Sequence, residues 1–238
     1  MIAVPLISAR SKAISPVLMG IQVKICGINS VESADAAVRA GADFAGLVFH
    51  PASPRNLTRE QAQGLAERMR GRVRLVALLA DAKDEEIGAV AKSVRPDFLQ
   101  FHGNETPERV GAARLQFGIP IIKAIAIADA ADLARISSYA DAADMFLFDA
   151  KAPASAARAG GHGVAFDWQL LRGRSFSRPW LLAGGLNPEN VVRAIQTSDA
   201  PGVDVSSGVE TAPGMKSAQM ISDFVVAARS ASFAETRA

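Results

Sequence analysis

The chain has a single cysteine among its 238 residues, so it cannot form an internal disulfide. Cys26 is therefore a core thiol, a metal ligand, or a nucleophile or base, and a reducing compartment is expected, with the cytoplasm the default. Excess charge of either sign is also missing: 26 Lys+Arg stand against 24 Asp+Glu, which leaves no compositional support for nucleic-acid binding. No apolar run approaches the roughly 20 residues that span a bilayer, so membrane insertion is not expected. The three histidines lie far apart with no carboxylates at ligand spacing, and no metal site is expected.

What remains is the composition of a packed fold. Hydrophobic residues make up 49% and charged residues 21%, well away from the disordered class. The head, residues 1–20, stands apart: it carries Arg10 and Lys12 and no acidic residue. Its apolar residues flank the basic ones, an order that does not suit a secretory signal. It is expected to be a disordered extension, or sequence ahead of a true start at Met19, and the tail 230–238 is expected to fray.

Between them, short apolar runs recur: Ile21 to Ile25, Phe44 to Phe49, Val73 to Leu79, Phe98 to Phe101, Ile119 to Ile127, Met145 to Phe148, Trp180 to Ala183 and Val203 to Val205. Nearly all precede alanine-rich stretches of helical period, such as Val31 to Ala40, Arg59 to Met69, Asp84 to Val94, Pro107 to Phe117 and Pro188 to Thr197. Helix starts are marked by Thr58 with Gln61, by Thr106 before Pro107, and by Asn187 before Pro188. The strands show little polar alternation and so read as buried parallel strands. Eight strand–helix units predict a single-domain (β/α)8 TIM barrel over 21–229, with a doubly wound open sheet as the rival.

In such a barrel the carboxyl ends of the strands share one mouth. Cys26 closes the first strand and Asp149 the sixth, although a lone thiol is often inert and a strand-end acid often only caps a loop. The turns at Gly184-Gly185 and at Ser206-Ser207-Gly208 follow strands seven and eight, where barrels seat phosphate on backbone N–H groups. Arg55 could grip a carboxylate, His102 could titrate near neutrality or merely orient its loop, and Gly161 lies in a glycine-rich loop beside His162.

Taken together, Lys24-Ile25-Cys26-Gly27, Ser53-Pro54-Arg55, Gln100-Phe101-His102-Gly103, Phe148-Asp149, Gly184-Gly185-Leu186 and the segment from Gly202 to Glu210 resemble the phosphoribosylanthranilate isomerase family of tryptophan biosynthesis. The resemblance implies a cofactor-free Amadori rearrangement of N-(5-phosphoribosyl)anthranilate, with Asp149 as general acid and Cys26 as general base. It implies that Arg55 holds the anthranilate carboxylate and that Gly184, Gly185, Ser206, Ser207 and Gly208 seat the phosphate. His102, Gly161 and Asp204 take supporting roles, and Lys24 is expected to pair with an acid such as Asp204. Phe101 and His162 depart from the family pattern, which usually has leucine and serine or threonine there. A monomer is expected, since a closed barrel needs no partner. The alternatives are another phosphosugar isomerase or epimerase on the same barrel, or a phospholigand sensor without catalysis.

Overall fold

The computed structural model describes residues 20–151 and 166–234. Eight parallel strands close into a barrel in sequence order: β1 (Gln22–Cys26), β2 (Phe44–Phe49), β3 (Arg74–Leu79), β4 (Phe98–Phe101), β5 (Ile121–Ile127), β6 (Met145–Ala150), β7 (Trp180–Leu182) and β8 (Gly202–Val205). Strand β8 returns to β1 with Lys24 opposite Asp204. Closure removes the open sheet edges that a doubly wound sheet would leave.

The strands lack polar alternation because both of their faces are buried. One set of side chains, including Phe44, Val76, Ile122, Met145, Leu147 and Leu181, fills the barrel interior. The alternate set packs outward under the helices in a larger cluster that includes Val23, Ile25, Leu47, Leu75 and Phe146. Successive strand residues point to opposite faces, so inward positions recur every second residue. Lys24 and Cys26, Gln100 and His102, and Leu147 and Asp149 are such pairs, with the outer member of each at the carboxyl mouth.

The helices start where local chemistry starts them. In α1 (Val31–Arg39), Ser30 and Ser33 form a reciprocal capping box, and in α2 (Arg59–Met69) Thr58 and Gln61 do the same. Helix α3 (Asp84–Val94) opens on three acids, and α4 (Pro107–Phe117) has Thr106 at its cap with Pro107 at the first position.

Several expectations need correction. The helix after β7, α5 (Val191–Ser198), begins later than Pro188, because the Asn187 carboxamide accepts from the backbone of Glu189 and Asn190 and holds that stretch as a separate turn. After β5 the chain forms a 3-10 segment, Asp132–Tyr139, in which the Ser137 and Ser138 hydroxyls bond back to carbonyls three residues earlier. Another 3-10 segment, Trp168–Leu171, precedes β7. Beyond β8 a small hairpin, β9 (Glu210–Ala212) with β10 (Met215–Lys216), leads into α6 (Ala218–Ala234). The stretch from Ser230, expected to fray, stays helical as far as Ala234, and Ala228 and Ala231 are buried in the outer core. The head 1–19 and the loop holding Gly161 and His162 lie outside the described residues. Phe101 is buried in the outer core, where the family's smaller side chain is expected.

Candidate active site

Cys26, Arg55, His102, Asp149, Gly184, Gly185, Asp204, Ser206 and Ser207 line one pocket at the carboxyl mouth. Gly208 does not line it. A Cβ at that position would collide with the Leu186 carbonyl, so this glycine lets the β7 and β8 loops touch.

Cys26 is buried beside two ammonium groups. Lys24, itself fully buried, pairs with Asp204 at 2.7 Å, as expected from sequence, and its ammonium acts on the thiol. Burial pushes the Cys26 thiol up; Lys24 and Lys216 pull it down and Asp204 adds to the push, and the net direction is upward. Burial alone would lower the Lys24 ammonium, but the Asp204 carboxylate beside it raises it. The space for this group comes from Gly46 on the neighbouring strand: a Cβ there would lie 3.0 Å from Cys26 Sγ and 3.3 Å from Lys24 Nζ.

Asp149 faces the mouth from β6. Its Oδ1 accepts from the Ala150 N–H at 2.9 Å, and its Oδ2 lies 3.2 Å from His102 Nε2. The carboxyl group thus sits among polar groups. Gly184 takes a positive φ of 88°, and a Cβ there would approach Ala150 N to 2.6 Å and Asp149 Oδ1 to 3.1 Å. The glycine of the expected phosphate turn therefore also makes room for the carboxylate.

Arg55 reaches the mouth from the β2 loop with its fork already engaged. Its Nε and Nη2 donate to the two Glu210 carboxylate oxygens at 2.6 and 2.7 Å, which leaves Nη1 outside this bidentate pair. Glu210 also accepts from Lys216 Nζ at 2.7 Å and from the Gly214 N–H at 3.1 Å. Burial raises the Glu210 carboxyl, yet Arg55 and Lys216 overcome that and bring it down to about 2. Lys216 Nζ further donates to the Ser206 carbonyl at 2.9 Å and hydroxyl at 3.3 Å. Ser206 in turn donates to the Cys26 carbonyl at 3.2 Å, so the β8 loop is tied to the end of β1.

Two members of this cluster were given no role from sequence. Glu210 stood within a motif but had no visible partner, and Lys216 sits on a two-residue strand too short to show any period. Their pairing depends on the hairpin folding back, which a linear pattern does not display.

A closed eight-stranded barrel whose mouth gathers a thiol, a carboxyl group and two glycine turns after β7 and β8 is an enzyme-type (β/α)8 barrel. The family model for N-(5'-phosphoribosyl)anthranilate (PRA) isomerase matches residues 23–227. The chain belongs to that family. It is 50% identical over 211 residues to the N-(5'-phosphoribosyl)anthranilate isomerase of Paramagnetospirillum magneticum, covering 89% of this chain and 98% of that one. To the enzyme of Rhodospirillum rubrum it is 52% identical over 211 residues, covering 87% and 97%. Among solved structures, the phosphoribosyl anthranilate isomerase of Thermotoga maritima superposes with a TM-score of 0.79 at 36% identity, covering 88% of this chain and 99% of that one. A second structure, at 34% identity with a TM-score of 0.76 and the same coverage, is of phosphoribosyl anthranilate isomerase in complex with reduced 1-(o-carboxyphenylamino)-1-deoxyribulose 5-phosphate. Another similar structure is described as that of monomers of the dimeric Thermotoga maritima enzyme.

Proposed function

We propose that this protein isomerises N-(5'-phosphoribosyl)anthranilate to 1-(2-carboxyphenylamino)-1-deoxyribulose 5-phosphate, with Asp149 as general acid and Cys26 as general base. The carrying observation is that these two groups, from β1 and β6, face one mouth bordered by the glycine turns of β7 and β8. The phosphate sits on the backbone of Gly184, Gly185, Ser206 and Ser207, with the Lys216 ammonium beneath the β8 loop adding positive charge. The anthranilate carboxylate meets Arg55 Nη1. Arg55, Lys216 and Glu210 together bring two cations and one anion, and the surplus positive charge suits a substrate with two anionic groups.

In the first step Asp149 delivers a proton to the ribose ring oxygen, the nitrogen lone pair pushes in, and the C1'–O bond breaks to give an open-chain iminium ion. Cys26 then takes the proton from C2' and the C–H electron pair flows into the iminium, giving an enolamine. Transfer of the 2'-hydroxyl hydrogen to C1' completes the ketone. The iminium serves as the electron sink for the C2' deprotonation. It also helps the base, because a cation beside the buried thiol favours the thiolate, as Lys24 and Lys216 do.

The direct experiment supplies N-(5'-phosphoribosyl)anthranilate to the purified protein and follows product formation. Turnover that disappears in Cys26→Ala and in Asp149→Ala, with the fold intact by circular dichroism, supports the reading; full activity in either variant would sink the mechanism. Rescue of a tryptophan auxotroph lacking the isomerase separates an enzyme from a ligand sensor. No helix among the described residues is long and apolar enough to cross a membrane. We infer a cytoplasmic monomer, a state supported by barrel closure and tested by analytical ultracentrifugation.

A further inference from the structure

Strand β4 ends in a chain of polar groups that the reaction above leaves without a task. Gln100 is fully buried, its Nε2 lies 3.2 Å from His102 Nδ1, and its Oε1 has no hydrogen-bond partner. A buried acceptor without a donor is unfavourable, and Gln100 is one of the residues that line the mouth. On the far side of the ring, His102 Nε2 is 3.2 Å from Asp149 Oδ2. The ring is held in place from behind: Lys123 Nζ donates to the Gly103 carbonyl at 2.8 Å and pairs with Glu105 at 2.7 Å, and Glu105 accepts from the Gly103 N–H at 3.0 Å.

We propose that Gln100 and His102 are positioning residues for the acid: the imidazole supplies the proton that Asp149 delivers, and the Gln100 amide turns over to serve both tautomers of the ring. This rests on the reading of Asp149 as general acid. With Asp149 ionised, the ring carries its proton on Nε2 and donates it to Oδ2, while Nδ1 accepts from Gln100 Nε2. One proton taken up from solvent gives a ring with N–H at both nitrogens. A half-turn of the amide then brings Oε1 to Nδ1–H, so the unpartnered oxygen gains its donor. The Nε2–H bond breaks as Oδ2–H forms, and Asp149 passes that proton to the ribose ring oxygen. A neutral ring with Nδ1–H and a carboxylate remain, and return of the ring proton to Nε2 through solvent exchange restores the start. One proton enters from solvent and one leaves on the substrate.

The charges around this chain are already committed. Lys123 pairs with Glu105, Lys24 with Asp204, Arg55 with Glu210 and Lys151 with Asp132, while Asp81 accepts from the Asn104 N–H. His50 and Cys26 are the other titratable side chains that line the mouth. As the base, Cys26 sets the other limb of the rate against pH, which supplies an internal reference.

The test is the pH dependence of kcat for the full chain and for His102→Asn, Gln100→Met and Gln100→Glu. His102→Asn is expected to lower kcat at neutral pH about tenfold to a hundredfold, with KM within about twofold. The limb set by the Asp149–His102 pair should move down by about one pH unit while the limb set by Cys26 stays put. Gln100→Met should move the pair's limb the same way but less, and Gln100→Glu should move it up, because a carboxylate favours Nδ1–H. A loss confined to KM, or a limb of the pair unmoved in His102→Asn, overturns the inference. Should Gln100→Glu fail to fold, the other two variants decide. Asp149→Asn separates the two readings: if it retains turnover, the acid assignment itself fails, whereas an inactive Asp149→Asn with an unmoved limb in His102→Asn removes only the relay.

Discussion

The two sides of the mouth handle protons in opposite surroundings. On the β1 and β8 side, Cys26 is 5% exposed and answers to charges: two ammonium groups and the Asp204 carboxylate act on a thiol that burial pushes up. On the β4 and β6 side, Asp149 is also buried, at 8%, but its neighbours are hydrogen-bonding groups: a backbone N–H and an imidazole whose side chain is 18% exposed. A dry site magnifies every neighbouring charge, whereas a wetter one screens charge and leaves geometry in control. The difference teaches that a base can take its strength from fixed charges beside it, while an acid that must recover its proton sits next to a group within reach of solvent.

The largest effects should come from removing the groups themselves. Cys26→Ser keeps nearly the same volume but loses a group able to ionise, so it should fall as far as Cys26→Ala, about 10²–10⁴-fold in kcat. Asp149→Asn can still accept from the Ala150 N–H yet cannot deliver a proton, and a comparable loss is expected there. Steady-state kinetics on both variants checks this. If Cys26→Ser lost less than a few-fold, ionisation at the dry side would not matter and the contrast would collapse.

A smaller effect should separate the glycines that serve the two sides. In Gly184→Ala the new Cβ meets backbone at 2.6 Å from Ala150 N and the residue must hold a φ of +88°, so the acid is displaced together with the phosphate turn. A loss of about a hundredfold in kcat/KM is expected from a shift near an ångström. In Gly46→Ala the closest atom is Cys26 Sγ at 3.0 Å, a side chain able to turn aside, although Cys26 Cα follows at 3.1 Å. About a tenfold loss is expected there, mainly in kcat. Equal losses in the two variants would argue against geometry as the stronger control on the acid side.

How much of this could be read from the residues follows the range of each interaction. Strand and helix positions were legible because apolar runs and caps such as Thr58 with Gln61 are local, and β2, β4, α2, α3 and α4 lie where the pattern put them. The 3-10 segment after β5 was not, since serine back-bonding competes with a helix in a way that alanine content hides. Within the site, Cys26 and Asp149 were visible as the last inward residues of their strands. The partner of Arg55 was not: Glu210 lies 155 positions away and meets it only because the β9–β10 hairpin folds over the β2 loop.

That hairpin gives the next prediction. Glu210→Gln leaves Arg55 and Lys216 buried without their counter-charge and should cost about 3 kcal/mol of stability together with a rise in KM. The sign with pH follows from the depressed carboxyl. Its stabilising contribution is complete above the ordinary value of 4.5 and is lost as pH falls from there towards about 2. Urea midpoints should therefore decline across that window in the parent chain and stay flatter in Glu210→Gln. Parallel curves would remove the ion pair from the account of the dry side.

The smallest expected effect is a shift rather than a loss, and it addresses the dry side directly. Cys26 is the chain's only cysteine, so iodoacetamide labelling followed by intact mass reports on it alone. Because burial pushes the thiol up, labelling of the folded protein should still be accelerating at alkaline pH where labelling of the urea-unfolded chain has levelled off. The charged neighbours should then move that profile in opposite directions. Lys24→Met removes a cation that favours the thiolate and should carry the profile further up; Asp204→Asn removes an anion that opposes it and should bring the profile down. Accessibility alone would slow labelling in all forms without moving its pH dependence. Opposite shifts from two residues that face each other at 2.7 Å can only arise if charge governs the base.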